Sequence, residues 1–281
     1  MTRQTLYLLV TCSMDPSRAE LAEKVVDNLI HQNGKYHFFP DFLVFDNAST
    51  FSGHLDKLPE DVKVVRADQN IGYWSAINWV LGHAHNLMSK EYKYIYIIES
   101  DLIHYDMHRL DDCEGFLDAN ADVGGVRTQK FSVRWRAFYD KGNRFLPFAR
   151  RDAWVSQINY ITGKRVRFRL ADRRARIFRC DFLPKLPALN RFQAMQQVFL
   201  QLARRGNIVE TDFMEAYAEM YPSYAVLDGG VFQMLSSART THVSGSYSSK
   251  ETLAEIDYRP TRVDRIQMDG FTVFPFTDRE K

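Results

Sequence analysis

The 281-residue sequence predicts an α/β fold, a mostly parallel sheet flanked by helices, followed by a less regular second half. Three observations carry that expectation. Through the first hundred residues, short β-prone apolar runs alternate with helical repeats, the order of a parallel sheet with right-handed crossovers. Polar clusters stand where the runs end, the edge at which open α/β sheets bind ligands. Near residue 126, charge and pattern change together. Between Arg127 and Arg179 stand 16 Lys or Arg against three acids, a net +13 that leaves −11 for the rest of a chain totalling +2.

Thr5 to Cys12 is apolar and β-prone, as expected of a central parallel strand. From Asp15 to Ile30, Leu21, Val25, Val26, Leu29 and Ile30 recur at helical spacing. Asp15 and Pro16 make a fitting N-cap and first turn, and Asn33-Gly34 is expected to stop that helix. A second strand, Phe42 to Phe45, runs into Asp46-Asn47-Ala48-Ser49-Thr50, and a third spans Val62 to Arg66. Asn70-Ile71-Gly72-Tyr73 opens a helix through Ala76, Ile77, Val80 and Leu81. A fourth strand, Tyr94 to Ile98, ends at Glu99-Ser100-Asp101. Beyond it, Val123 to Val126 reads as a strand, Asn190 to Arg205 as a helix, and a further helix starts near Thr211 and ends before Pro222. Tyr224 to Leu227 leads into Gly229-Gly230.

The strand ends are where chemistry is expected. A carboxylate, an amide and a hydroxyl at Asp46-Asn47-Ala48-Ser49 suit a base edge or ribose, and also suit an ordinary turn. Gly72 lets a loop approach a ligand closely, and the following helix N-terminus presents N–H groups to an anion. Glu99 and Asp101 lie on the same side of an extended strand, so both are expected to face one site. Hard divalent cations need only a few such carboxylates when phosphate oxygens complete the shell. His242 enters a small-residue loop, and Glu210-Thr211-Asp212 precedes a helix, where acids also serve as N-caps.

The ordered series LYLLVTC, FLVFDNAST, VVRADQNIGYWSAINWVLGHA and YIYIIESDLI resembles the family 2-like inverting glycosyltransferases of the GT-A fold, nearest their bacterial rhamnosyltransferase-like branch. The resemblance covers roughly residues 5 to 105, with weaker echoes at NIVETDFMEAY and THVSGSYSS. It implies a GT-A, Rossmann-like sheet. Residues 1–126 would form the nucleotide-sugar (donor) half and 127–281 the acceptor-side half of the same domain, with a basic insert at about 127–182. It places Thr11, Asp46 and Asn47 at the nucleobase and ribose, with Arg66, Asn70 and Gly72 nearby. Glu99-Ser100-Asp101 stands at the family's metal motif. Asp101 and a late histidine, His242, would bind Mg²⁺ or Mn²⁺, and Glu210 or Asp212 would be the catalytic base. Three departures are visible. The motif's first acid is Glu, Phe51-Ser52-Gly53 stands where an Asp is common, and Thr211 splits the acid pair.

The implied activity is inverting transfer from a nucleoside-diphosphate sugar to an acceptor hydroxyl, in bacterial surface polysaccharide or glycolipid synthesis. The acceptor would be a carbohydrate or a lipid-linked sugar, and the Arg-rich 127–179 stretch would meet it or an anionic membrane surface. Two other readings are weaker. A nucleotidyltransferase would show a basic glycine-rich loop after the first strand, where Thr11-Cys12-Ser13-Met14-Asp15 stands. A nucleic-acid-binding protein explains the basic stretch but not carboxylates that repel phosphate, so no nucleic acid is expected. No apolar run approaches the ~20 residues that span a bilayer, and the interrupted start argues against a signal peptide. Cys12, Cys113 and Cys180 form neither metal-ligand spacing nor a disulfide framework, which points to a cytoplasmic protein, with the membrane's inner face as its other location.

Overall fold

The computed structural model describes residues 4–104, 106–130, 168–180, 187–203, 210–234 and 264–266. Within them the chain runs β1 (Thr5–Thr11), α1 (Pro16–Tyr36), β2 (Phe42–Asp46), β3 (Lys63–Ala67), α2 (Tyr73–Met88), β4 (Tyr94–Glu99), β5 (Leu102–His104) and α3 (Arg109–Ala119). It continues through β6 (Val123–Lys130), β7 (Phe168–Asp172), β8 (Ile177–Cys180), β9 (Ala188–Arg191), α4 (Phe192–Ala203), α5 (Glu210–Met220), β10 (Ser223–Met234) and β11 (Asp264–Ile266). The strands form one sheet in the order β11-β3-β2-β1-β4-β9-β6-β10-β8-β7, with β5 on β10. From β11 to β4 every pairing is parallel. Antiparallel partners enter with β9, although β6 and β10 again run parallel.

Both sheet faces are covered, which explains the continuous apolar strands. Successive residues of β1 point to opposite sides. Leu6, Leu8 and Val10 join the core under α2, α4 and α5, with Ile77, Val80, Met195, Val198, Phe199 and Phe213. Tyr7 and Leu9 join the core under α1 and α3, with Val25, Val26, Leu29, Leu110 and Leu117. No described helix is long and apolar enough to cross a membrane.

The Asp15 cap is present: its Oδ1 accepts from the Arg18 N–H at 2.9 Å, and Pro16 follows. The expected stop at Asn33-Gly34 is not. The α1 helix continues to Tyr36, and His37, at φ 48°, ends it in the left-handed region. Asn33 acts beyond its own position, its carbonyl oxygen accepting from His37 N and its Oδ1 from Phe39 N, both at 2.8 Å.

The helix expected from Asn190 begins instead at Phe192. Residues 188–191 are drawn into the sheet as β9, pairing antiparallel with both β4 and β6. Arg191 explains part of that preference. Its guanidinium donates to the Val123, Leu117 and Asn120 carbonyls at 2.8–2.9 Å, satisfying the open end of α3.

Candidate functional site

Strands β2 and β3 are added on one side of β1, and β4 then returns to the other. Such a reversal opens a crevice at the carboxyl ends of the strands. The register lines residues along that edge. Arg66 pairs with Asp46, Asp46 with Thr11, and Val10 with Glu99. Four strands thus bring Thr11, Asp46, Arg66 and Glu99 to one edge.

The first three are wholly inside the protein. Thr11 and Asp46 are 0 % exposed and Arg66 1 %. Arg66 Nε lies 3.1 Å from Asp46 Oδ2, while the guanidinium also donates to Ser52 Oγ at 3.1 Å and to the Ser49 carbonyl. Asp46 Oδ1 accepts from Ser49 N at 3.1 Å. Burial pushes the Asp46 carboxyl above its usual range, against the opposing pull of Arg66 and the Ser49 hydrogen bonds. Ser49 Oγ accepts from Ser13 N at 2.8 Å, tying the β2 loop to the β1 loop.

A second set of bonds joins these loops to the start of α2. Asn47 Nδ2 donates to Asn70 Oδ1, and Asn47 Oδ1 accepts from Ile71 N, both at 2.9 Å. Asn70 Oδ1 also accepts from Gly72 N at 2.9 Å, and Asn70 Nδ2 donates to Cys12 Sγ at 3.3 Å. Gly72, at φ 86° and ψ 154°, holds a conformation that suits glycine and sends the chain into α2. Cys12 is half-buried. Burial, reinforced by the Asp46 charge, pushes its thiol up to about 12, so it stays protonated.

At β4 the acids are arranged differently from the expectation. The strand ends at Glu99, and Ser100-Asp101 forms a turn into β5, so strand alternation does not relate Glu99 to Asp101. Glu99 and Ser100 are half-buried, and Asp101 is 8 % exposed. Among the described residues, no three His, Cys, Asp or Glu side chains form a metal-binding group. The chemistry of the donors nonetheless fits a hard cation, because carboxylate oxygens at a strand end need only phosphate oxygens and water to complete the shell. His242 lies outside the described residues.

The start of α5 packs against the start of α2. Phe213 stacks on Trp74, with ring centroids 5.5 Å apart, and Trp74 is the second residue of α2. Asp212, half-buried, precedes Phe213, so the first turn of α5 stands against the opening of α2. Glu210 begins that turn.

Two residues that sequence reasoning passed over belong to the edge. Ser52 holds Arg66, and His54 Nε2 lies 3.3 Å from Thr11 Oγ1. Burial, with the Glu23 carboxylate opposing it, lowers His54 to about 4. Ser52 lies within Phe51-Ser52-Gly53, where the chain departs from the Asp common in the resembled family, and His54 follows directly after it.

No protein-family model matches this chain, and no curated protein does. Solved structures are similar over most of its length. S. aureus TarS gives a TM-score of 0.49 at 12 % identity, covering 91 % of this chain and 40 % of TarS. Residues 1–349 of TarS in complex with UDP-GlcNAc give 0.47 at 13 %, covering 91 % and 68 %. Glucosyl-3-phosphoglycerate synthase from Mycobacterium tuberculosis, in complex with Mn²⁺, UDP and glucosyl-3-phosphoglycerate, gives 0.44 at 12 %, covering 93 % and 82 %. This chain therefore spans two-fifths of that TarS chain. All three scores lie below 0.5, too loose a likeness to give any residue a role.

Proposed function

We propose that the chain is a GT-A-type glycosyltransferase that transfers a sugar, with inversion, from a nucleoside diphosphate to an acceptor hydroxyl. The observation that supports this most is the single row of Arg66, Asp46, Thr11 and the Glu99 strand end along the β3-β2-β1-β4 edge. Loops from three of those strands are bonded to one another beside it. An arrangement that gathers polar loops and carboxylates at the topological switch suits a nucleotide ligand.

In this reading Thr11, Asp46, Asn47, Arg66, Asn70 and Gly72 build the nucleoside subsite. Glu99, Ser100 and Asp101 face the diphosphate, and Asp101 with His242 would hold Mg²⁺ or Mn²⁺. When bound, that ion supplies Lewis-acid stabilisation of the departing diphosphate. Glu210 or Asp212 takes the proton from the acceptor hydroxyl. The hydroxyl oxygen then bonds to the anomeric carbon as the bond from that carbon to the diphosphate oxygen breaks. One in-line step without a protein nucleophile inverts the configuration. The acceptor is a carbohydrate or lipid-linked sugar of bacterial surface polysaccharide or glycolipid synthesis, met by the 127–281 half. The Arg-rich 127–179 stretch would hold a cytoplasmic enzyme peripherally against anionic lipid.

Thermal shift with UDP-, GDP- and dTDP-sugars, with and without Mn²⁺, tests the reading, because a ligand that binds the native state raises its apparent stability. At least one sugar nucleotide should raise Tm by a few degrees, and Asp101→Ala should abolish transfer while leaving the fold intact. No shift with any of the three would overturn the donor assignment. Full activity in Asp101→Ala would overturn the metal assignment.

A further inference from the structure

Resting on that donor-site reading, we propose that Asn47 and Asn70 are a coupled pair of positioning residues, with Asn47 acting on the nucleotide only through the Asn70 loop. Asn47 is 2 % exposed, and the protein engages both ends of its amide. Its Nδ2 donates to Asn70 Oδ1 and its Oδ1 accepts from Ile71 N, each at 2.9 Å. Its backbone N–H donates to the Thr11 carbonyl at 2.8 Å, fixing it to β1.

Asn70 is half-buried and continues the relay. Its Oδ1 accepts a second hydrogen bond from Gly72 N at 2.9 Å, and its Nδ2 donates to Cys12 Sγ at 3.3 Å. The amide orientation follows from these partners, since a flipped Asn70 would turn an NH₂ group toward two N–H donors. The Asn70-Ile71-Gly72 segment before α2 is therefore gripped from the end of β2 through Asn47 and from the end of β1 through Cys12. With Asn47 buried, an amide pair of this kind is costly to half-break. Because both residues serve one loop, removing the second should add little once the first is gone.

The test is a double-mutant cycle read by calorimetric binding of UDP, GDP and dTDP in Mn²⁺, using the whole chain and carrying forward the tightest binder. Asn47→Ala and Asn70→Ala should each weaken binding by about tenfold or more, and the double variant should fall within about threefold of the weaker single. Losses that multiply to about a hundredfold would mean independent ligand contacts and overturn the pairing.

Isosteric variants give a readout that packing alone does not move. Asn47→Asp removes the side-chain donor to Asn70 Oδ1, leaving only the Gly72 N–H within the loop itself, and should bind as poorly as Asn47→Ala. Asn70→Asp keeps the acceptor for both Asn47 and Gly72, its second oxygen can accept from the protonated Cys12 thiol in place of the lost amide donor, and it should stay within about threefold of wild type. Equal losses, or the reverse order, would overturn the proposal even where Asn47→Ala fails to fold. A wild-type chain that binds none of the three nucleotides overturns the donor reading and this inference with it. Wild-type binding with multiplying losses overturns this inference alone.

Discussion

At the scale of single residues, the buried histidines carry the clearest pH signature. Burial lowers His54 to about 4 and His104 to about 3, against about 6.5 for an unfolded histidine. As pH falls below 6.5 the unfolded chain takes up protons that the native state refuses, so stability is full above that value and lost on acidification. The loss through His104 continues down to about pH 3. His104→Gln removes the titration while keeping a polar side chain near the Tyr96 hydroxyl, which lies 3.2 Å from His104 Nε2. Between pH 7 and 5, urea denaturation should show wild type losing about 2 kcal/mol more than the variant. Equal losses would mean that native His104 takes up its proton as readily as the unfolded chain does. The same scale shows what could be read of the candidate site. Motif residues that meet at the edge were visible as a list. The partners that engage their side chains were not, because Asp46 and Arg66, or Asn47 and Asn70, are joined only when strands 20 residues apart in sequence are laid side by side.

At the scale of elements, two glycines separate a packing demand from a tolerated break. A Cβ on Gly125 of β6 would sit 2.7 Å from Asn190 Oδ1 and 2.9 Å from the Leu189 carbonyl oxygen, so the β6–β9 pairing must shift to admit it. A Cβ on Gly34, inside α1, meets nothing within 4 Å. Gly125→Ala should therefore destabilise by about 1–3 kcal/mol. Gly34→Ala should stabilise by about 0.5–1 kcal/mol, both read from denaturant midpoints. The elements of the parallel half were legible because strands buried on both faces are unbroken apolar runs. The α3 helix was missed: Asp111, Asp112, Glu114 and Asp118 dilute its periodicity, and only Leu110, Cys113, Phe116 and Leu117 turn inward. Strands β7 and β8 lay hidden in the basic stretch. β9 looked like the start of a helix because its sheet partners, Tyr94–Tyr96 and Gly125–Arg127, are more than 60 residues upstream.

At the scale of the whole molecule, charge is unevenly shared, and a net +13 between residues 127 and 179 gives a measurable expectation. If that stretch meets anionic lipid, co-sedimentation with phosphatidylserine vesicles should exceed that with phosphatidylcholine and fall steeply between 50 and 500 mM salt, about 1 kcal/mol being available per basic residue at the surface. Equal binding to both vesicles would remove the membrane from the proposed partners. The sheet itself extends far beyond the candidate site, and its margin is closed late. Strand β11, at residues 264–266, lies parallel to β3 and covers the edge of 65–67. During synthesis that edge stays bare until about 200 further residues have been made, roughly 10–40 s at ordinary elongation rates. A nascent chain therefore carries an open strand margin, the kind that pairs with neighbours and aggregates, throughout that interval. Chaperone demand should thus follow translation speed, and slowing elongation late in the message should lower the soluble yield.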